Sequence, residues 1–213
     1  MAGYARLTGF HLDVLREVGN IGAGHAATAL SELLGKTVDM RVPSVNIVSL
    51  QEMTELLGGT ETVVAAVYLR MLGDAPGSMF FMLPLNQSKK LVSHMLAGEP
   101  YDPAEGVYSE LTLSALQEAG NILSGSYLSA LSDLTGMNIQ PSVPSLSIDM
   151  AGAILGYGLI EISKSSDYAI IINTSLTEPE NMHSDSIHGY FFLLPDPDSF
   201  EKIFDALGVP LHE

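Results

Sequence analysis

Residues 12–46 and 113–147 repeat one another at a constant spacing, which limits this chain to folds assembled from two equivalent halves. Leu12–Ile21 (LDVLREVGNI) returns 101 positions later as Leu113–Ile122 (LSALQEAGNI). The register holds onward through Gly24 and Gly125, Ala29-Leu30-Ser31 and Ala130-Leu131-Ser132, Gly35 and Gly136, and Val42-Pro43-Ser44 and Val143-Pro144-Ser145. Across these 35 positions, 15 are identical to their partners. A period near 100 residues is too long for a stacked solenoid, so the repeat reads as two fused halves.

Within each half the punctuation is the same. Thr8 and Ser109 are placed to cap a long helix, and Gly35 and Gly136 to stop it. Pro43 and Pro144 precede short strand-like stretches. In the first half, Thr62–Leu69 (TVVAAVYL) and Ser78–Leu83 (SMFFML) read as strands around the turn Gly73–Gly77. In the second half the expected strands are Ala153–Ile162, Tyr168–Leu176 and Tyr190–Leu194. Phe80-Phe81-Met82-Leu83-Pro84 matches Phe191-Phe192-Leu193-Leu194-Pro195 at an offset of 111, with the extra residues assigned mainly to the polar loop Thr177–Gly189. Short amphipathic helices, Gln87–Ala97 and Ser199–Leu207, close the halves, and Gly98–Gly106 connects them.

So few strands per half would be unstable alone. The expected fold is therefore α/β (α+β): two pseudo-twofold-related halves sharing an antiparallel β-sheet, with two long helices on one side of it and two shorter helices. It is expected to be a single domain over residues 1–213, with half one at about 8–98 and half two at about 109–209.

Composition narrows the function. The net charge is −16 with only nine Lys and Arg, which leaves no basic surface for nucleic acid. There is no Cys, hence no disulfide framework, thiolate metal site or cysteine nucleophile. The six His are scattered without ligand spacing, so no metal is expected on this chain. Without a signal segment or a long uninterrupted apolar run, the chain is expected to be soluble and cytoplasmic, with no membrane insertion. Gly22-Ala23-Gly24-His25-Ala26-Ala27 has the spacing of a dinucleotide fingerprint, but no strand precedes it and it falls inside a helix. Asp149, an acid among apolar neighbours, reads equally as a strand-end cap or a partner contact.

What the repeat keeps is a polar ridge. With Asp13 at zero on a helical wheel, Glu17 falls at about 40°, Asn20 at about −20° and Gly24 at about 20°. Val14, Leu15, Val18, Ile21, Ala29 and Leu33 lie at about 80° to 200°, the expected core face. The second copy places Ser114, Glu118, Asn121 and Gly125 on the same ridge. A solvated helix face would account for Glu and Asn alone. It would not account for repeated mid-helix Gly, which costs about 1 kcal/mol each relative to Ala. Gly on the ridge would let a partner's backbone approach, while Gly19 and Gly120 would serve packing beneath.

The two [D/S]-x3-E-x2-N signatures, the Gly19–Ala27 run GNIGAGHAA and the chain length resemble the CheC type of the CheC/CheX/FliY family of chemotaxis phosphatases. The resemblance covers essentially the whole chain. It implies hydrolysis of the aspartyl phosphate on the response regulator CheY, whose receiver domain would supply Mg²⁺ and a lysine; no cofactor of this chain's own is implied. Asn20 and Asn121 would hold the attacking water, Glu17 and Glu118 would dock against the receiver's lysine, and Asp13 and Ser114 would support them. The alternative that the resemblance implies is a non-catalytic interaction protein that binds phosphorylated CheY and holds the receptor-modifying deamidase CheD.

Overall fold

In the computed structural model, which describes residues 6–96, 108–162, 168–178 and 186–211, both halves follow one order of elements. The first comprises α1 (Gly9–Leu34), β1 (Asp39–Arg41), β2 (Val45–Ser49), α2 (Leu50–Leu56), β3 (Val63–Gly73), β4 (Gly77–Pro84) and α3 (Leu85–Met95). The second comprises α4 (Glu110–Thr135), β5 (Ile139–Pro141), β6 (Ser145–Met150), α5 (Ala151–Ile162), β7 (Tyr168–Thr177), β8 (Ile187–Pro195) and α6 (Pro197–Ala206). The long helices begin and end where their caps predict. Ser109 Oγ accepts the Thr112 amide at 3.1 Å. Gly35 and Gly136 end the helices at φ 63° and 67°, the left-handed region where Gly is favoured.

Eight strands form one antiparallel sheet in the order β1-β7-β8-β4-β3-β5, with β2 also on β7 and β6 also on β3. The short strands cross over: β1 and β2 of the first half pair with β7 of the second, and β5 and β6 pair with β3 of the first. Neither half thus has a complete sheet of its own.

The pairing registers locate the symmetry axis. Val45 pairs with Ile172, and Leu146, its counterpart 101 positions on, pairs with Val67. Val67 is therefore the equivalent of Ile172. Applied to the central pair β4 and β8, the same construction makes Phe81 the equivalent of its own partner, Phe191. The pseudo-twofold passes through that pair, whose rings lie 4.7 Å apart. This corrects the offset of 111 for the FFMLP and FFLLP segments to 110. A slip of one residue from this register would send equivalent side chains to opposite faces, because strand side chains alternate with period two. The extra residues of the second half also fall in two places: the offset grows from 101 to 105 between β6 and β7, where α5 is longer than α2, and from 105 to 110 between β7 and β8.

Both faces of the sheet are covered. Val67, Leu69, Met79, Phe81, Ile170, Ile172 and Phe191 point into the core under α1, α4, α3 and α6. Val64, Ala66, Phe80, Met82, Ile171 and Phe192 point the other way, against α2 and α5. The expectation of both long helices on one side of the sheet holds. Two expectations fail beside it. Ala153–Ile162 is not a strand but belongs to α5, and α2 was not foreseen. An apolar run alone does not separate strand from buried helix. The signal for α2 was Ser49-x-x-Glu52: Glu52 Oε2 accepts the Ser49 amide at 2.7 Å in a capping box. Leu33, expected in the core, is half exposed on the last turn of α1. The Gly98–Gly106 connector lies outside the described residues.

One partly buried acid ties three elements together. Glu178, just after β7, meets Lys36 Nζ at 2.5 Å and His94 Nδ1 at 2.6 Å, joining the ends of α1, α3 and β7. Burial alone would raise its pKa, but the hydrogen bonds and charges of Lys36 and His94 outweigh that and hold it below the ordinary 4.5. A depressed carboxylate pKa contributes stability that is present above the unfolded value and is lost as pH falls through the folded one. Glu178→Gln is expected to destabilise the fold by about 1 kcal/mol at pH 7, with the difference from wild type shrinking below pH 4.5. Urea midpoints at pH 7 and pH 3 check this; an equal difference at both would refute the assignment.

Candidate functional site

The ridge emerges where the sequence places it. Asp13, Glu17, Asn20 and Gly24 are all exposed along α1, and Ser114, Glu118 and Asn121 are exposed along α4, with Gly125 half-buried. Leu15, Val18, Ala23, Ala26 and Leu30 are buried beneath the first ridge, and Leu116, Ala119, Leu123, Tyr127 and Leu128 beneath the second.

Glycines set how deeply the helices sit. A Cβ at Gly19 would meet Val42 Cγ2 at 3.3 Å and Ile172 Cγ2 at 3.6 Å; one at Gly120 would meet Val67 Cβ at 2.7 Å. Val67 and Ile172 are symmetry equivalents, so both helices rest on the same position of the sheet. A Cβ at Gly22 would strike the Tyr127 Cα at 2.9 Å, which shows how closely α1 and α4 approach. Gly24 and Gly125 have nothing within 4 Å, so on the ridge itself the missing side chain leaves open surface. The two-fold relation makes α1 and α4 antiparallel, so both ridges face away from the sheet toward opposite ends of the helix pair. At 1.5 Å per residue from the Gly22–Tyr127 contact, Glu17 and Glu118 are on the order of 20 Å apart along the axis.

The two copies differ in detail. Asn20 Oδ1 accepts the Val42 amide at 3.0 Å, fixing its carboxamide against the turn between β1 and β2. The repeated Val-Pro-Ser segment is thus the shoulder of the site as well as the prelude to a strand, a role the sequence reading missed. In the second copy Asn121 has no side-chain hydrogen bond among the described residues, and the shoulder is met instead by Gln117 Nε2 on the Pro144 carbonyl at 3.4 Å. Val42 is 3% exposed whereas Val143 is 86% exposed. Asp13 pairs with Arg16 at 3.1 Å, while Ser114 and Gln117 at the same positions carry no charge. Each ridge therefore has the same formal charge, −1, centred on its Glu.

This arrangement suits positioning rather than covalent or metal chemistry. A carboxamide oxygen has two lone pairs and its nitrogen two donors, so Asn20 can hold Val42 and still bind a water. Among the described residues no group of three or more His, Asp or Glu is placed to hold a metal ion. No described helix is long and apolar enough to cross a membrane. Asp149 Oδ1 accepts the Met150 amide at 2.7 Å just before α5 and remains exposed. That fits the capping reading and leaves the carboxylate accessible.

A sequence model of the CheC-like family matches residues 10–47 and 111–148, the two ridge helices with their shoulders. The CheY-P phosphatase CheC of Bacillus subtilis (strain 168) is 44% identical over 200 residues, covering 94% of this chain and 95% of that protein. The flagellar motor switch phosphatase FliY of the same organism is 29% identical over 138 residues, covering 64% of this chain and 35% of its own length. Among solved structures, Thermotoga maritima FliY aligns with TM-score 0.71 at 22% identity, covering 95% of this chain and 98% of that one, a likeness of fold.

Proposed function

We propose, because this chain belongs to the CheC-like family, that it is a phosphatase hydrolysing the aspartyl phosphate of the response regulator CheY. The observation that carries the reading is the Glu-x-x-Asn ridge, exposed twice on antiparallel helices whose opposite faces are fixed to the sheet. Each ridge enters the receiver's phosphorylation site. Glu17 or Glu118 pairs with the receiver's lysine and sets the register, with Asp13 or Ser114 beside it. Asn20 or Asn121 accepts a hydrogen bond from water through Oδ1 and donates from Nδ2 toward a phosphoryl oxygen. The water oxygen bonds to phosphorus in line with the aspartyl oxygen, whose bond to phosphorus breaks; inorganic phosphate and the free carboxylate result. Amide orientation of an attacking water is an established device in phosphoryl transfer. It needs no shifted pKa and no covalent intermediate. The Mg²⁺ that neutralises the phosphoryl oxygens belongs to the receiver in this reading. CheD is the second partner the family implies.

The lifetime of phosphorylated CheY, measured with and without this protein and with CheD added, tests the proposal. The protein should shorten the lifetime in proportion to its concentration, with a Mg²⁺ requirement that tracks the receiver. An unchanged lifetime at saturating protein sinks the phosphatase reading, and tight stoichiometric Mg²⁺ binding to this chain alone, seen by calorimetry, sinks the mechanism.

A further inference from the structure

The ridge does not begin at Asp13 and Ser114. One turn earlier, Phe10 lies at about 60° on the same wheel, within about 20° of Glu17, and Leu111 holds that position in the second copy. Both are out in solvent, Phe10 at 64% and Leu111 at 50% exposure. A large apolar side chain left half or more in water adds little to this core. Here one recurs at the same place beside both motifs. The family match also opens at these two positions, residues 10 and 111, so they belong to the same matched unit as the Glu and Asn. A second repeated pair, Leu33 and Leu134, is exposed as well, but at about 200°, away from the ridge.

We propose that Phe10 and Leu111 are the apolar anchors through which each ridge seats the phosphorylated receiver domain. The inference rests on the phosphatase reading above and names the part of the contact that gives affinity. The ridge charge is only −1, and an exposed ion pair in water holds a partner weakly. Water positioning moreover needs the receiver held to within fractions of an ångström. An apolar side chain two turns from the Glu, about 10 Å along the same helix face, buried against the receiver's surface, supplies that hold without touching the reacting atoms. It is a docking residue, so its loss should appear in the concentration of receiver required and spare the rate at saturation.

Two measurements on the whole protein test this. The first follows stimulated decay of phosphorylated CheY across receiver concentrations. The second titrates binding of CheY carrying beryllofluoride in place of the phosphoryl group, and so reads docking even if catalysis is absent. Phe10→Ser with Leu111→Ser should raise both the KM and the Kd about tenfold while kcat stays within about twofold. Leu33→Ser with Leu134→Ser, equally apolar and on the same helices, should match wild type in both. The exchange Phe10→Leu with Leu111→Phe should restore near-wild-type binding, which separates lost apolar contact from a disturbed fold. Unchanged KM and Kd in the Phe10 and Leu111 double variant, or an equal rise in the Leu33 and Leu134 control, would overturn the proposal. Wild type that binds beryllofluoride-CheY but leaves phosphate decay unchanged would instead count against the phosphatase reading alone.

Discussion

Replacing both Asn20 and Asn121 with Asp is expected to abolish the acceleration of CheY dephosphorylation, a loss of roughly 10²–10³-fold in stimulated rate. Each single variant should keep the activity of the other ridge, since the motifs share no residue and lie far enough apart for their effects to add. Asp is the informative substitution because the two asparagines are not equivalent in the fold. Asn20 Oδ1 accepts the Val42 amide at 3.0 Å, so Asn20→Ala would leave that amide without its partner and cost about 1–3 kcal/mol of stability. Any lost activity would then be confounded with a loosened shoulder. Asn20→Asp keeps an acceptor for Val42, removes the Nδ2 donor and places a negative charge near the phosphoryl oxygens. Asn121 makes no comparable bond among the described residues, so Asn121→Ala and Asn121→Asp should be equally well folded. Decay of phosphorylated CheY with wild type, both singles and the double, with circular dichroism as the folding control, decides the matter. A folded double variant that still accelerates decay would remove the asparagines from the mechanism.

Most of this was legible because the duplication supplied an internal control. A Glu and an Asn three residues apart say little once, but the same pair on the same wheel position twice, above glycines that a helix would otherwise avoid, marks a face kept for use. The caps Thr8, Ser109, Gly35 and Gly136 are local chemistry and were readable for that reason. The misreadings concern what only tertiary pairing decides. Ala153–Ile162 reads as a strand because its apolar content suits either buried state, whereas the half-to-half spacing aligns the helix Ala151–Ile162 with Leu50–Leu56, a helix opened by the Ser49 cap. The shift from 111 to 110 between β4 and β8 cannot be seen in the matching FFMLP and FFLLP segments, because sequence similarity does not know which face a side chain occupies. The Asn20–Val42 bond spans 22 residues and joins a helix to a turn; no local rule predicts it.

Gly120→Ala and Gly24→Ala, the same change on the same kind of helix, should have opposite effects on stability. At Gly120 the added methyl would overlap the Val67 side chain, with Cβ to Cβ at 2.7 Å. Val67 cannot turn aside: it is β-branched, 3% exposed and lies in β3 between β4 and β6. Relief therefore requires α4 to lift from the sheet, disturbing Ala119, Leu123 and the second ridge together. Overpacking of this kind costs roughly 3 kcal/mol, set against about 1 kcal/mol of regained helix propensity. The net loss, about 2 kcal/mol, should lower the denaturation midpoint by several degrees. At Gly24 nothing lies within 4 Å, so only the propensity gain remains and the variant should be more stable than wild type by about 1 kcal/mol. If Gly24 serves the approach of a receiver domain, that more stable variant should also require more phosphorylated CheY to reach half-maximal rate at the first ridge, read in the Asn121→Asp background. Thermal melts and decay curves on the two variants test both halves of the argument. A Gly24→Ala protein that is destabilised would mean that α1 is constrained at that position by something other than an open surface. One that is stabilised with undiminished affinity would mean the ridge glycine has no part in docking.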